Sequence, residues 1–254
     1  MALLVILGCS NESFVSDDAS TDAIANDVTS DVLDASEAGD GCAPPPICSQ
    51  LEDCASFDDG TYGPFASSAS SGAMVSITSA ERVSCPNGLM ATIASNGASN
   101  ATLYDDHKLG TSPTTAHPIL ELDVFLPSSP PAGLSFFSLY ASVNTTSASE
   151  AVTVLLASAS DGWYLSLVSS GSTKLTPPPR VGAWNHMKLD VTFNASTSAT
   201  LTYDRQDGLQ GTAMLNEDLN FSSITATGAT VGVATAAAAA ATTAYYDNIV
   251  FTPP

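Results

Sequence analysis

The chain has 254 residues, 44% of them hydrophobic but only 7% aromatic, and 26 acidic against six basic side chains give it a formal charge of −20. No Lys or Arg precedes Arg82, and the six basic residues are scattered. There is therefore no basic stripe of the kind that neutralises nucleic-acid phosphates or docks on anionic lipid, and both partners are excluded on charge.

Ala2 to Leu7 form an unbroken apolar run, followed by Gly8 and Cys9. A helix needs about 20 apolar residues to span a bilayer, so this run reads as a targeting segment. The stretch Ile6-Leu7-Gly8-Cys9 resembles the lipobox of bacterial lipoproteins, although Ile holds its first position and no basic residue precedes the run. The resemblance implies that residues 1–9 are a signal-peptide remnant with a lipidated Cys9, and that the chain is exported and anchored to a membrane through lipid. With Ser10 next, it implies the outer membrane or cell surface of a Gram-negative bacterium. A buried N-terminal strand with an ordinary Cys is the alternative.

Residues 10–41 hold nine Asp or Glu, no Lys or Arg, and few bulky side chains besides Phe14, Ile24 and Leu33. Such a segment cannot bury enough apolar surface to offset an ordering cost of about 1–2 kcal/mol per residue, and its like charges repel. A disordered acidic linker is expected there, with one folded domain over residues 42–254.

Setting Cys9 aside leaves Cys42, Cys48, Cys54 and Cys85, an even set that suits disulfides in an exported chain and allows three pairings. Pro44, Pro45 and Pro46 stiffen the loop between Cys42 and Cys48, which favours that bridge and leaves Cys54 to pair with Cys85. No Cys-x-x-Cys and no nearby His points to zinc.

Beyond Cys42 the sequence reads as short strands separated by small polar turns. Ile119 to Leu126 alternates with period two, placing Leu120, Leu122, Val124 and Leu126 on one face and Glu121, Asp123 and Phe125 on the other. Similar runs occur at residues 74–78, 89–94, 134–143, 151–157, 163–168, 184–193, 199–203, 230–234 and 244–251. Ala236 to Ala241 is too short for an isolated helix and reads as a connection between the last two strands. About ten short strands predict an all-β, antiparallel two-sheet sandwich or barrel.

Three stretches carry a further resemblance. Gly182-Ala183-Trp184-Asn185-His186-Met187-Lys188-Leu189-Asp190-Val191 resembles the Gly-x-Trp-x-His strand of laminin-G-like domains, within the concanavalin-A-like lectin/glucanase superfamily. Tyr245-Tyr246-Asp247-Asn248-Ile249-Val250-Phe251 resembles the closing strand of that group, and Phe57-Asp58-Asp59-Gly60 its opening strand. The resemblance implies a jelly roll whose first and last strands share an edge, with Trp184 in a structural role. It also implies a structural calcium near Asp58, Asp59 and Asp247, against the alternative that these are turn carboxylates accepting backbone N–H bonds.

Glu121 and Asp123 are similar to the first two acids of the Glu-x-Asp-x-x-Glu signature of superfamily glucanases. Leu126, or Phe125 if a bulge is absent, stands where the third acid belongs, so the proton donor needed about 5 Å from a nucleophile is missing and no catalytic residue is assigned. By parity Phe136, Tyr140 and Tyr164 are expected to share the open face with Glu121, Asp123 and His186, while Trp163, Met187, Leu189 and Phe193 are core. Rings stack on apolar sugar faces while carboxylates bond hydroxyls, so these six form a candidate carbohydrate site on the concave sheet. His107, His117 and His186 make no metal-spaced cluster, and no nucleophile elbow or phosphate loop occurs. The expectation is a monomeric, non-catalytic surface protein that binds carbohydrate, with a glycan hydrolase or lyase and a protein-binding adhesin as the alternatives.

Overall fold

The computed structural model describes residues 53–84, 86–95, 99–145, 148–168, 170–236 and 240–254. The chain divides into units of residues 1–39 and 40–254, and every described residue belongs to the second. Cys9, the acidic linker, Cys42, Cys48 and Cys85 lie outside the described residues, and with them the expected bridges; Cys54 is a disulfide cysteine.

The described residues form two antiparallel sheets and no α-helix, packed face to face as a sandwich. Across the first sheet run β13 (Gln210–Asp218), β12 (Ser196–Arg205), β11 (Trp184–Thr192), β6 (Ile119–Phe125), β15 (Thr242–Thr252), β4 (Gly88–Ile93) and β3 (Ala73–Thr78), with β1 (Asp53–Ala55) also pairing β15. The second sheet runs β10 (Ser172–Lys174), β9 (Gly162–Leu167), β8 (Ser149–Ala159), β7 (Leu134–Asn144), β14 (Ser223–Thr235), β5 (Ser99–Lys108) and β2 (Ala66–Ala69).

Strict alternation holds the sheets together. In β6, Leu120, Leu122 and Val124 are fully buried, and register sets Leu120 opposite Leu189 and Phe251, and Leu122 opposite Met187. The inner faces thus meet as a continuous apolar layer, joined from the second sheet by Leu139, Ala141, Val154, Leu156 and Val231. Trp163, Met187, Leu189 and Phe193 are core, as their parity predicts.

Each of the ten expected segments overlaps an observed strand, and the first and last strands do share an edge, Asp53 to Ala55 lying opposite Phe251 to Ile249. Phe57 to Gly60, expected as the opening strand, is instead a turn in which Gly60 N–H donates to the Phe57 carbonyl at 2.9 Å and Phe57 takes a φ of 65°. Strands β2, β5, β10 and β13 carry too many polar residues to show an apolar run, and β5 ends on Asp105-Asp106-His107-Lys108.

Phe136 is not on an open face. It is the extra residue of a β-bulge between the pairs Ser135–Ala157 and Phe137–Leu156, so both phenylalanines are buried and Phe136 packs on Trp163 at 5.0 Å. The Phe136 carbonyl accepts the phenol of Tyr246, 3.0 Å away across the core, which ties β15 to β7 in the other sheet. Complete burial raises the Tyr246 phenol well above its ordinary pKa and keeps it a donor. Tyr246→Phe strips that carbonyl of its donor and is expected to destabilise the domain by about 1–3 kcal/mol, read as a lower denaturant midpoint at unchanged m.

Candidate functional site

On the outer face of the first sheet, register stacks side chains into rows that cross β11, β6 and β15. Trp184, Phe125 and Tyr245 align as one row. Their rings touch in sequence, with centroids 5.6 Å apart for Trp184 and Phe125 and 6.1 Å for Phe125 and Tyr245. The next row is Asp204, His186, Asp123 and Asp247, and beyond it lie Thr202, Lys188 and Glu121.

His186 sits between two carboxylates. Its Nδ1 is 2.9 Å from Asp123 Oδ1 and its Nε2 is 3.2 Å from Glu121 Oε1. Hydrogen bonding to Asp123, helped by the negative charges of Asp123 and Glu121, raises the His186 pKa above its ordinary value against the opposing effect of burial. When protonated, the ring donates from both nitrogens. Lys188 Nζ lies 3.6 Å from Glu121 Oε2, so the outer carboxylate is flanked by an ammonium and an imidazole.

Asp123 is largely buried and accepts a second bond, 2.7 Å from Asn248 Nδ2. Asn248 reaches it from a bulge in β15 between Asp247 and Val250, with a φ of 49° that Asn tolerates better than most residues. Sequence reasoning passed over Asn248, although an Asp-Asn pair inside a strand pattern is a signal for such a bulge.

Asp247 has a different task from the calcium binding expected of it. Its carboxylate accepts Val83 N–H at 2.8 Å, Ser84 N–H at 2.7 Å, the Ser84 hydroxyl at 3.0 Å and Asn248 N–H at 2.8 Å. Those donors fill about four lone-pair positions, leaving none for a cation. Asp59 accepts the backbone and hydroxyl of Thr61, so the turn-carboxylate alternative describes both, and Asp58 alone keeps a buried oxygen without a hydrogen-bond partner. The expected calcium set does not fit.

The bonds to Asp247 hold residues 83–84 over the sheet as one wall of a depression of about 420 Å³. Its lining includes Arg82, Asp123, Trp184, His186, Asp204 and Arg205. Gly88 allows this crossing, since a Cβ there would lie 2.8 Å from the Glu81 carbonyl oxygen and 3.2 Å from that of Tyr246. Trp184, assigned only a structural role from sequence, lines the floor, and Phe125 and Tyr245 extend it.

The expected six-residue site is thus divided. Glu121, Asp123 and His186 do come together on the first sheet. Tyr140 and Tyr164 project from the outer face of the second, because Leu139, Ala141, Trp163 and Leu165 beside them point inward. Tyr140 lies over Gly228, and Tyr164 donates to Asp161 at 2.7 Å beneath Lys174. Phe136 is in the core.

No protein-family model matches the chain, and no curated protein matches it in sequence. Solved structures do. The PL-14 alginate lyase from Aplysia kurodai is similar at a TM-score of 0.54 and 13% identity, over 71% of this chain and 87% of that one. An endo-β-1,4-glucuronan lyase from the fungus Trichoderma reesei gives 0.55 and 10%, over 81% and 95%. Lectin I-B4 from Griffonia simplicifolia gives 0.44 and 14%, over 72% and 92%. At these identities the likeness to the two lyases establishes the jelly-roll fold alone.

The His186 arrangement sets a pH dependence. A histidine pKa raised on folding stabilises the native state fully below the unfolded value near 6.5, and that contribution is lost as pH rises through the folded value. NMR titration is expected to place His186 above 6.5 and to return it toward the ordinary value in Asp123→Asn.

Proposed function

We propose that this protein binds carbohydrate, without catalysis, on the outer face of the first sheet. The observation that carries the reading is the aromatic row Trp184, Phe125 and Tyr245 running in register beside Asp204, His186 and Asp123. Rings offer stacking platforms for the C–H faces of pyranoses, and the adjacent carboxylates and imidazolium bond hydroxyls. The jelly-roll lyases supply the fold-level support.

Charge selects among sugars. A uronate polymer needs cations aimed at its carboxylates, yet His186 and Lys188 are already turned to Asp123 and Glu121, and Arg205 is 2.6 Å from Asp207. On a chain with a formal charge of −20, neutral glycans are the matching class. The same pairings argue against hydrolysis. Both β6 carboxylates are engaged by His186, and Leu126, in place of a third acid, is buried.

Lipid anchorage at Cys9, export to the cell surface and a monomeric state belong to the same proposal. Labelling with a palmitate analogue in a Gram-negative host, lost in Cys9→Ser, tests the anchor.

Glycan arrays followed by calorimetry test the binding. Trp184→Ala is expected to weaken a neutral glycan about tenfold or more, whereas Tyr164→Ala on the opposite sheet leaves affinity unchanged. Silence across neutral glycans, or equal affinity for wild type and Trp184→Ala, overturns the site. Release of reducing ends that disappears in Glu121→Gln overturns the non-catalytic reading.

A further inference from the structure

A second group of ligand atoms gathers away from the aromatic row, where β1 of the first sheet meets β5 of the second. Asp53 Oδ2 lies 2.6 Å from His107 Nε2, and Asp105 Oδ2 lies 3.3 Å from the same nitrogen. Ligand atoms of all three residues fall within 4.8 Å of one another, a property no other His, Cys, Asp and Glu group has among the described residues. All three are half-buried, and the His107 ring is braced by Phe251 at 5.5 Å.

Two features of this cluster are unexplained by the protein's own groups. A single imidazole nitrogen carries at most one proton to share between two carboxylates. The second feature is independent of charge. Thr227 is the register partner of His107 on β14, fully buried on the same inner face, and its hydroxyl has no hydrogen-bond partner. Directly opposed residues stand with Cβ atoms about 4.5–5.5 Å apart, so Thr227 is the immediate cross-strand neighbour of His107. A buried hydroxyl without a partner is costly unless something else engages it.

We propose that Asp53, Asp105, His107 and the Thr227 hydroxyl form a binding site for a divalent transition-metal ion, zinc being the best chemical match. One imidazole nitrogen with two carboxylates is a borderline donor set that suits zinc, whereas calcium takes six to eight oxygens. Zinc bonds of about 2.0–2.2 Å place tetrahedral ligand atoms about 3.3–3.5 Å apart, a spacing that the Asp105–His107 pair already has. The ion supplies the positive charge that the two carboxylates lack and a partner for the Thr227 oxygen. A depression of about 410 Å³ lined by His107, Leu109, Thr111 and Pro113 opens beside His107 and gives the ion and one water a route in. His107 could not be paired with its partners from sequence, because Asp53 is 54 residues away and Thr227 sits in another strand.

The site is independent of glycan binding and is tested by zinc alone. The full chain, freed of metal by chelator, is titrated with zinc chloride by calorimetry and followed by thermal denaturation. Wild type is expected to bind one ion through this cluster and to melt higher with zinc, while Asp105→Asn and His107→Gln bind it at least about tenfold more weakly. Thr227→Val provides a near-isosteric check with opposite signs. In chelator it is expected to melt above wild type, because the orphan hydroxyl is gone, and in zinc its gain is expected to be smaller than that of wild type. No response to zinc up to about 1 mM overturns the assignment. So does an equal response in wild type, Asp105→Asn and His107→Gln, and so does a Thr227→Val variant whose zinc-induced shift matches that of wild type.

Discussion

The pleat of β6 is the constraint on which the molecule rests. Leu120, Leu122 and Val124 must face inward to meet β11 and the opposite sheet, and a period of two leaves Glu121, Asp123 and Phe125 no direction but outward. Neighbouring strands obey the same rule in register, so the core and the surface rows are set by one pattern. A slip of one residue in β6 would bury two carboxylates and expose three aliphatic chains. The core therefore enforces the geometry of the site without any residue of the site contributing to it.

Within that frame, the outer face gains its particular chemistry from two departures from regularity. The β15 bulge turns Asn248 onto Asp123, and the Asp247 carboxylate draws Val83 and Ser84 across the sheet. Both come from adjacent residues in one strand. A flat polar sheet thus acquires a wall beside an aromatic floor, and Glu121, Asp123 and Asp247 are engaged by protein groups before any ligand arrives. Such a surface recognises shape and hydroxyl pattern more than charge.

The regular parts were legible in the sequence and the irregular ones were not. Alternation exposed β6 and β11, and parity brought Glu121, Asp123 and His186 together correctly. Parity failed at Phe136, since one inserted residue inverts every assignment that depends on counting through it. It also cannot say which sheet a strand joins, which is why Tyr140 and Tyr164 were grouped with residues on the other side of the sandwich. β5 escaped notice because its polar half, Asp105 to Lys108, covers the end of the sandwich where apolar residues are not required. Asp247 read as a metal ligand because a carboxylate looks the same in sequence whether its partners are a cation or backbone N–H groups.

β15 also has a consequence for assembly. It holds β6 along one edge, and along the other it holds β4 through Thr242 to Tyr246 and β1 through Ile249 to Phe251. The strand at the middle of the first sheet is thus the last in chain order, and β1, which it fastens, is the earliest described. Until it is in place, β4 and β6 present open edges toward each other with a gap one strand wide, and β1 has no strand to pair with. The first sheet therefore closes only through non-local pairings that form together when β15 docks between β6 and β4, the kind of contact that slows folding.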